Sequence, residues 1–258
     1  MAFAARDAAA RVIAAHTSRQ PIDRLPVACR PASVAEAYAI QDEVIRALGP
    51  VGGWKVGVSD PDAEPSCAPV CRDVILPSGA DLDAARYHGL ALEIEFAFRL
   101  RRDLPPQETA YRYDEVADAV DFLPLIEVLG SRYRDRTALS AVEQLADANA
   151  NGAFITGAPV GDWRSLDFRR ATVTLAIDGA IVQSACGTHP AGDPVRLLVW
   201  QANHAAARCG GLKRGDIVTT GSLQGASPIR PGSRAVADWG GWGRVELAVA
   251  APAARPTA

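Results

Sequence analysis

The segment 89–100, GLALEIEFAFRL, alternates between apolar and other side chains along its whole length. Alternate side chains of a strand point to the same face, so this pattern predicts a β-strand whose even-numbered residues form one apolar face. Glu93 and Glu95 then lie side by side on the opposite face. One solvated face of an antiparallel sheet would explain them without any further role. However, Ala91 and Ala97 flank the pair, and neighbouring carboxylates repel each other unless a proton or a cation lies between them. The segment therefore raises the question of a metal site.

A third glutamate occurs inside a second apolar segment, DFLPLIEVL at 121–129. Burying an unpaired carboxylate is costly, so Glu127 must be neutralised, paired or bound to a metal. Three carboxylates and water would form an oxygen-only set of ligands, which suits Mg²⁺ or Mn²⁺. The alternative is a buried ion pair of Glu127 with Lys55, Arg132 or Arg134. The residues alone leave both explanations open.

The character of the chain changes near residue 50. The earlier part carries helical patterns, including a capping box formed by Ser33 and Glu36, and the later part carries short alternating segments separated by glycine and proline. No linker divides the later part. We therefore predict an α+β protein with an N-terminal helical region at 1–50, a β-rich domain at 51–250 and a disordered tail at 251–258.

Three short motifs predict local structure within the β-rich part. Ser140 and Glu143 form a second capping box, which opens a helix. Asp178 and Gly179 separate two alternating runs, as in a β-hairpin. Asp193 and Pro194 supply the N-cap and first position of a helix.

The composition excludes several classes of function. The 258 residues carry a formal net charge of −3, and no basic block stands out, so nothing favours nucleic acid or an anionic membrane as a partner. No apolar run is long enough to span a bilayer. Charged residues interrupt the alanine-rich N-terminus, which predicts a helix of a cytoplasmic protein rather than a signal peptide. Five cysteines without zinc spacing fit a reducing compartment.

An ordered set of motifs resembles the 2-keto-4-pentenoate hydratase branch of the fumarylacetoacetate hydrolase superfamily. The likeness runs from about residue 21 to residue 249. It implies a mixed β-sandwich roll for the β-rich domain. The motifs are GWKVG, ALEIEFAF, LPLIEVLGSRY, LADANANGAF and GDIVTTGSL.

The resemblance also implies roles for individual residues. Glu93, Glu95 and Glu127 match the family's ligands for a divalent metal, Mg²⁺ or Mn²⁺. Lys55 matches a lysine near the active site, and a lysine whose pKa is lowered by burial can assist proton transfer. The remaining matches imply substrate-binding roles for Thr220, Gly221, Ser222 and Asp147, although Asp147 has an equally plausible structural role at a helix end.

The function implied by the resemblance is the hydration of 2-hydroxy-2,4-dienoates through a metal-stabilised enolate, in the catabolism of aromatic-derived oxo acids. Decarboxylation of 2-oxo-3-enedioates and C–C hydrolysis of acylpyruvates use the same kind of site. A non-catalytic protein that binds oxo acids is the alternative from another class. The family tends to oligomerise, so we expect a homo-oligomer with a small 2-oxo acid as substrate.

Two departures from the family pattern bear on the proton transfers. Ser66 stands where hydratases commonly carry an aspartate, and Gly130 stands where an aspartate often precedes the Ser-Arg pair. The hydrolase branch activates water with a histidine–glutamate pair, and no histidine here lies in such a motif. His189, in a loop before a proline, is the one we expect to line the pocket.

Overall fold

Two helices open the chain, and strands dominate the rest. The computed structural model describes residues 3–58, 60, 62–187 and 189–251. The helices are α1 (Ala5–Ser18), α2 (Val34–Leu48), α3 (Tyr113–Ala117), α4 (Ala141–Ala146) and α5 (Val195–Arg208). The strands are β1 (Val51–Gly57), β2 (Ser66–Cys71), β3 (Ile75–Pro77), β4 (Ala80–Leu82), β5 (Ala91–Leu100), β6 (Val120–Leu129), β7 (Asn151–Thr156), β8 (Thr172–Ile177), β9 (Ala180–Cys186), β10 (Ile217–Ser222), β11 (Ser227–Pro228), β12 (Arg234–Asp238) and β13 (Arg244–Val249).

The described strands form two sheets. The larger is a curled, mixed sheet with the order β2-β1-β10-β5-β6-β7-β3, and β11 pairs with β5 beside it. In this sheet β1 runs parallel to β10, whereas β5 and β6 are antiparallel. The smaller sheet has the order β4-β13-β12-β8-β9. The predicted α+β class and the family-like roll are confirmed.

The apolar face of β5 lies in the main hydrophobic core. Phe96 and Phe98 each pack against Phe122 of the neighbouring strand, with ring centroids 5.8 and 5.7 Å apart. The smaller sheet supplies Leu175 and Leu247 to the same cluster. Each of these buried side chains contributes roughly 1.5–3 kcal/mol to folding. This burial fixes which face of β5 is left for Glu93 and Glu95, because a shift by one residue would place the charges in the core.

The helices near the N-terminus form a separate cluster with α4. Ala37 and Ile40 of α2 pack there with Leu145 of α4 and Tyr133. At the start of α2, Ser33 Oγ accepts the Glu36 N–H at 3.2 Å, as predicted. The Glu36 carboxylate, however, accepts the N–H of residue 32 rather than that of Ser33, so only half of the predicted capping box forms.

The other local motifs form largely as predicted. The capping box of Ser140 and Glu143 is complete at the start of α4. Asp178 and Gly179 adopt φ of 51° and 83° between β8 and β9, as a tight hairpin turn requires. Asp193 accepts the N–H of Val195 at 2.9 Å and so caps α5.

Of the predicted disordered tail, residues 252–258 lie outside the described residues. None of the helices described here combines the length and apolar character needed to cross a membrane.

Candidate active site

The pairing of β5 with β6 brings the three predicted glutamates together. Glu93 lies directly opposite Glu127 in the antiparallel register, and Glu95 follows two residues along the same face. Each of the three carboxylates offers an oxygen within 4.8 Å of those of the other two. Glu95 and Glu127 are fully buried, and the Glu93 side chain is 14 % exposed. We call these three residues the glutamate triad.

Each buried glutamate has one oxygen that accepts a hydrogen bond from a neighbouring N–H group and one oxygen that faces the other carboxylates. Glu95 Oε2 accepts the N–H of Gly221 at 2.9 Å, and Glu127 Oε1 accepts a side-chain N–H of Asn151 at 2.9 Å. Within the described residues, Glu95 Oε1 and Glu127 Oε2 have no hydrogen-bond partner although both are buried. Unpartnered buried carboxylate oxygens are costly, so the triad fits a bound cation.

The pKa values of Glu95 and Glu127 also favour a bound cation at the triad. Burial, reinforced by the charge of Glu127, raises the pKa of Glu95 well above its usual range. Burial also raises the pKa of Glu127, and the charge of Glu93 adds to this, while Lys55 opposes it. A divalent cation would offset this repulsion, and an oxygen-only set of ligands suits Mg²⁺, Mn²⁺ or Ca²⁺.

Lys55 lies against the triad. Its Nζ is 3.1 Å from Glu93 Oε2 and 3.0 Å from Glu127 Oε2, so the ion pair considered as the alternative to a metal is present as well. Glu127 Oε2 is therefore charge-paired with Lys55, whereas Glu95 Oε1 is buried without a hydrogen-bond partner among the described residues. Burial lowers the pKa of Lys55, but the charges of Glu127, Glu93 and Glu95 outweigh it and raise the pKa. The expectation of a lowered lysine pKa is therefore wrong for this arrangement, in which Lys55 is an ammonium donor.

An open pocket lies beside the triad. Lys55 and Glu93 line it together with Gly221 and Ser222 at the end of β10. The Gly221 N–H is committed to Glu95, and Ser222 Oγ donates to Gly225 O at 3.1 Å. The backbone of Gly221 has φ of 100°, a conformation that favours glycine. The turn therefore both holds a triad member and borders the pocket.

Thr220 and His189 form a hydrogen-bonded pair behind this turn. His189 Nδ1 accepts the N–H of Ala191 at 3.2 Å, so Nε2 carries the proton and donates to Thr220 Oγ1 at 3.1 Å. The Thr220 hydroxyl in turn donates to Phe96 O at 3.0 Å. Burial lowers the pKa of His189 to about 4, so its ring is neutral. Thr220 and Pro190 line the pocket, whereas His189 does not, and the Thr220 hydroxyl is already hydrogen-bonded to His189 and Phe96.

Asp147 lies away from this pocket, at the end of α4. Its carboxylate accepts Ser131 Oγ–H at 2.8 Å and Arg132 Nε–H at 2.5 Å. Arg132 also donates to the carbonyl oxygens of Gly130 and Asn151, at 2.7 and 2.6 Å, and to that of Asp147 itself. Both oxygens of Asp147 are thus engaged, and it borders a separate cavity beneath α1 and α2. We call this set of hydrogen bonds around Arg132 the Arg132 clamp.

The clamp holds a left-handed turn. Ala148, Asn149 and Ala150 have φ of 50°, 49° and 60°, a conformation that costs non-glycine residues about 1–2 kcal/mol each. The turn places Asn149 on the pocket and starts β7, from which Asn151 reaches Glu127. Strained backbone of this kind concentrates at functional sites.

The two departures from the family pattern have definite positions. Ser66 begins β2 opposite Gly57, and it is not among the described residues that line the pocket. A Cβ on Gly130 would lie 3.0 Å from Tyr87 Cδ1, so an aspartate there would require the tyrosine to move. The packing of Tyr87 thus accounts for the glycine.

Sequence reasoning missed three polar residues of the site. Asn151 follows a helix and begins the strand next to β6. This position is the one sequence feature that could have predicted its place near Glu127. Arg136 and Asn149 also line the pocket. Neither lies in an alternating strand, so no pattern assigned them to a face.

Comparisons with known proteins identify the family. The family model described as fumarylacetoacetate (FAA) hydrolase C-terminal matches residues 51–250. A 2-keto-4-pentenoate hydratase from Paraburkholderia phymatum is 29 % identical over 226 residues, covering 83 % of this chain and 86 % of that protein. A 4-oxalocrotonate decarboxylase from Pseudomonas sp. strain CF600 is 27 % identical over 61 % of this chain and 59 % of its own length.

A solved structure extends the likeness to three dimensions. It is the 4-oxalocrotonate decarboxylase from Pseudomonas putida G7 complexed with magnesium and adipate. It superposes with a TM-score of 0.83 at 22 % identity, covering 95 % of this chain and 97 % of that chain. At this identity the superposition supports the fold. Together with the family match across 51–250, these findings show that the chain belongs to the fumarylacetoacetate hydrolase family, in the branch that includes the 2-keto-4-pentenoate hydratases.

Proposed function

We propose that this protein is a divalent-metal-dependent lyase that hydrates 2-hydroxy-2,4-dienoates of the 2-keto-4-pentenoate type. One observation carries the proposal: three carboxylates, two of them fully buried, have oxygens within 4.8 Å of one another and face one ammonium group and an open pocket. The names of the relatives, hydratases among them, support it.

Glu93, Glu95 and Glu127 would hold the ion, with Mg²⁺ or Mn²⁺ as the proposed metal. When bound, it supplies a Lewis acid for the carboxylate and keto oxygens of a 2-oxo acid. The Gly221 and Asn151 N–H groups fix the orientation of two of these carboxylates. Such supporting hydrogen bonds commonly strengthen metal binding 10- to 100-fold, in order of magnitude.

Lys55 is the proposed catalytic residue. Hydration of a dienoate first moves the proton of the 2-hydroxyl group to C5, which gives a conjugated enone, and water then adds its hydroxyl to C4 and its proton to C3. Lys55 Nζ lies beside the triad on the pocket side, where it can donate a hydrogen bond to the substrate oxygen at C2. A positioned proton donor of this kind contributes about 10²–10⁴-fold to a rate.

Decarboxylation of a 2-oxo-3-enedioate is the second candidate. The same head group would bind in the same way, and the remote carboxylate would leave as CO₂. The observation that favours it is Ser66, which offers no carboxylate where hydratases commonly have one. Decarboxylases also occur among the relatives. Hydrolysis ranks lower, because both ring nitrogens of the buried His189 are already hydrogen-bonded, Nδ1 to the Ala191 N–H and Nε2 to Thr220. We also propose that the protein acts in the catabolism of aromatic-derived oxo acids. It would do so as a cytoplasmic homo-oligomer.

The first test is calorimetric titration of oxalate, a planar mimic of the pyruvate enolate, with Mg²⁺ and again with EDTA. We expect binding that requires Mg²⁺ and is lost in Glu127→Gln. The control is Glu246→Gln, which removes an exposed glutamate on β13 and should leave binding unchanged. Metal-independent binding, or none in a folded protein, would contradict the proposal.

A substrate screen then separates the candidates. Loss of dienoate absorbance without CO₂ release identifies the hydratase, and release of CO₂ from an enedioate identifies the decarboxylase. Metal-dependent oxalate binding without turnover of any dienoate, enedioate or acylpyruvate would favour the alternative, a protein that binds oxo acids without catalysis.

A further inference from the structure

Two side chains of the pocket have no role in the site described above. Arg136 and Asn149 line the same pocket as Lys55 and Glu93. They come from the two loops that flank α4, one before the helix and one after it. Both carry N–H donors that could bind an anionic or carbonyl oxygen of a ligand.

Arg136 is held in place but lacks an acidic partner. Its Nη2 donates to Gln144 Oε1 at 3.2 Å, and Gln144 is itself fixed by its bond to Leu139 O at 3.2 Å. The adjacent Asp135 accepts the backbone N–H and the hydroxyl of Thr137, at 2.9 and 2.6 Å. In the described part of the chain, no carboxylate lies within ion-pair distance of the Arg136 guanidinium. By contrast, the other charged groups of the pocket, Lys55 and Glu93, pair with each other.

Asn149 is presented by the left-handed turn. Its φ of 49° lies in a region that most residues avoid, and the Arg132 clamp holds the residues on both sides of the turn. Its side-chain amide has no hydrogen-bond partner among the residues the structure describes. A rigidly held donor without a partner, on the wall of a pocket, is available to a ligand.

Apolar side chains complete the pocket. Val58 and Pro190 line it together with the polar groups. This combination suits a ligand with a polar group at each end and a short hydrocarbon segment between them. A guanidinium is the side chain best matched to a carboxylate, and an amide N–H adds a further donor.

We propose that Arg136 and Asn149 form a subsite for a second carboxylate, at the end of the substrate remote from its 2-oxo acid group. Among the 2-hydroxy-2,4-dienoates of the proposed function, those that carry a second, remote carboxylate are therefore the preferred substrates. This inference rests on the proposed function, because the triad and Lys55 must hold the first end. It concerns hydration, because in decarboxylation the carboxylate held by Arg136 would be the group that leaves as CO₂, and an ion pair with it would oppose that loss.

The test compares 2-oxoadipate with 2-oxohexanoate, two six-carbon 2-oxo acids that differ only in the remote carboxylate. Both are titrated calorimetrically into the Mg²⁺-loaded protein. We expect the dicarboxylate to bind at least about tenfold more tightly, since a hydrogen-bonded charge pair commonly supplies that much. Arg136→Gln should remove the preference and leave the affinity for 2-oxohexanoate unchanged.

Asn149→Gly tests the second donor without straining the turn, since glycine accepts a positive φ readily. It should reduce the preference about threefold, in keeping with the loss of a neutral hydrogen bond. Arg196→Gln is the matched control. This arginine lines the neighbouring cavity, which also contacts Val58, and its removal should leave the preference intact.

Three results would overturn the subsite. The wild-type protein could bind both acids equally well, Arg136→Gln could weaken both to the same degree, or Arg196→Gln could abolish the preference. In each of these cases metal-dependent binding persists, so the proposed function survives. If neither acid binds in a metal-dependent way, the proposed function fails and the subsite fails with it.

Discussion

Two roles are open for Lys55 beside the glutamate triad: it can be an ion-pair partner of the glutamates or a catalytic group. Its ammonium group contacts Glu93 and Glu127, and the side chain is only 13 % exposed. We predict that Lys55→Met lowers kcat at least about 100-fold, because the donor to the substrate oxygen is lost. The affinity for Mg²⁺ should not weaken, because the mutation removes a cation that competes for the same carboxylates.

The two quantities are measured separately, by a turnover assay and by calorimetric titration of Mg²⁺. If the variant loses metal binding together with activity and also melts at a lower temperature, Lys55 is a structural ion-pair partner. A Lys55→Arg variant helps to separate the roles, because it keeps the charge and changes the geometry of the donor.

His189 gives the fold a dependence on pH. Burial lowers its pKa to about 4 in the folded protein, from 6.5 in an unfolded chain, while the nearby Asp193 opposes the shift. Between these two values the unfolded state binds the proton and the folded state does not. Stability is therefore complete above about pH 6.5 and is lost as the pH falls towards 4, by roughly 3 kcal/mol from this group.

The measurement is denaturant unfolding of the wild type and of His189→Gln across this range. Glutamine retains an N–H donor for Thr220 but does not titrate. Contributions from other groups are common to both proteins, so they cancel in the difference between the two free energies of unfolding. That difference should move in favour of the variant as the pH falls, and a constant difference would contradict the assignment.

At the scale of elements, the Arg132 clamp joins α4, the left-handed turn and β7. Arg132→Lys keeps the charge but loses the planar donor set, which leaves the buried Asp147 poorly paired. We predict a loss of about 3 kcal/mol in the free energy of unfolding. The affinity for Mg²⁺ should fall about tenfold, because Asn151 would no longer be held against Glu127.

Chemical denaturation and calorimetry report the two effects. Arg134→Lys is the control, since Arg134 lies on the same loop but is exposed and pairs with Asp23 at the surface. An Arg132→Lys protein that is destabilised but binds Mg²⁺ normally would show that the clamp serves the fold and not the site.

The elements themselves were largely predictable. The alternation in β5 and the capping box of α4 are local patterns, and the structure contains both. The left-handed turn at 148–150 was not predictable, because it contains no glycine and depends on the distant Arg132. The half-formed capping box at Ser33 is a similar case, since the choice of amide accepted by Glu36 depends on how the preceding loop enters the helix.

At the scale of the molecule, the site depends on pairing between strands. The sequence placed Glu93 and Glu95 on one face, but only the register of β5 and β6 brings Glu127 opposite Glu93. The resemblance to the family also implied that Glu127 acts together with Glu93 and Glu95. The resemblance could not predict that the pKa of Lys55 is raised, because this shift depends on three carboxylates that converge on one ammonium group. Nor could the resemblance predict that Arg136 lines the pocket.

If the glutamate triad binds a metal ion, the stability of the whole protein should depend on that ion. Without an ion, the two buried glutamates repel each other, and the single ammonium group of Lys55 faces three carboxylates. We predict that Mg²⁺ at 100 times its dissociation constant raises the free energy of unfolding by about 2.7 kcal/mol, because it binds the folded state alone. Thermal unfolding with increasing Mg²⁺ measures this effect.

Glu127→Gln should reverse the order of stabilities. In EDTA the variant should be at least as stable as the wild type, because a neutral amide is less costly to bury than a carboxylate beside Glu93. In Mg²⁺ it should be the less stable protein, because it has lost a ligand. A wild type that is insensitive to Mg²⁺ and more stable than the variant in EDTA would instead show that the ion pair with Lys55 is the whole purpose of Glu127.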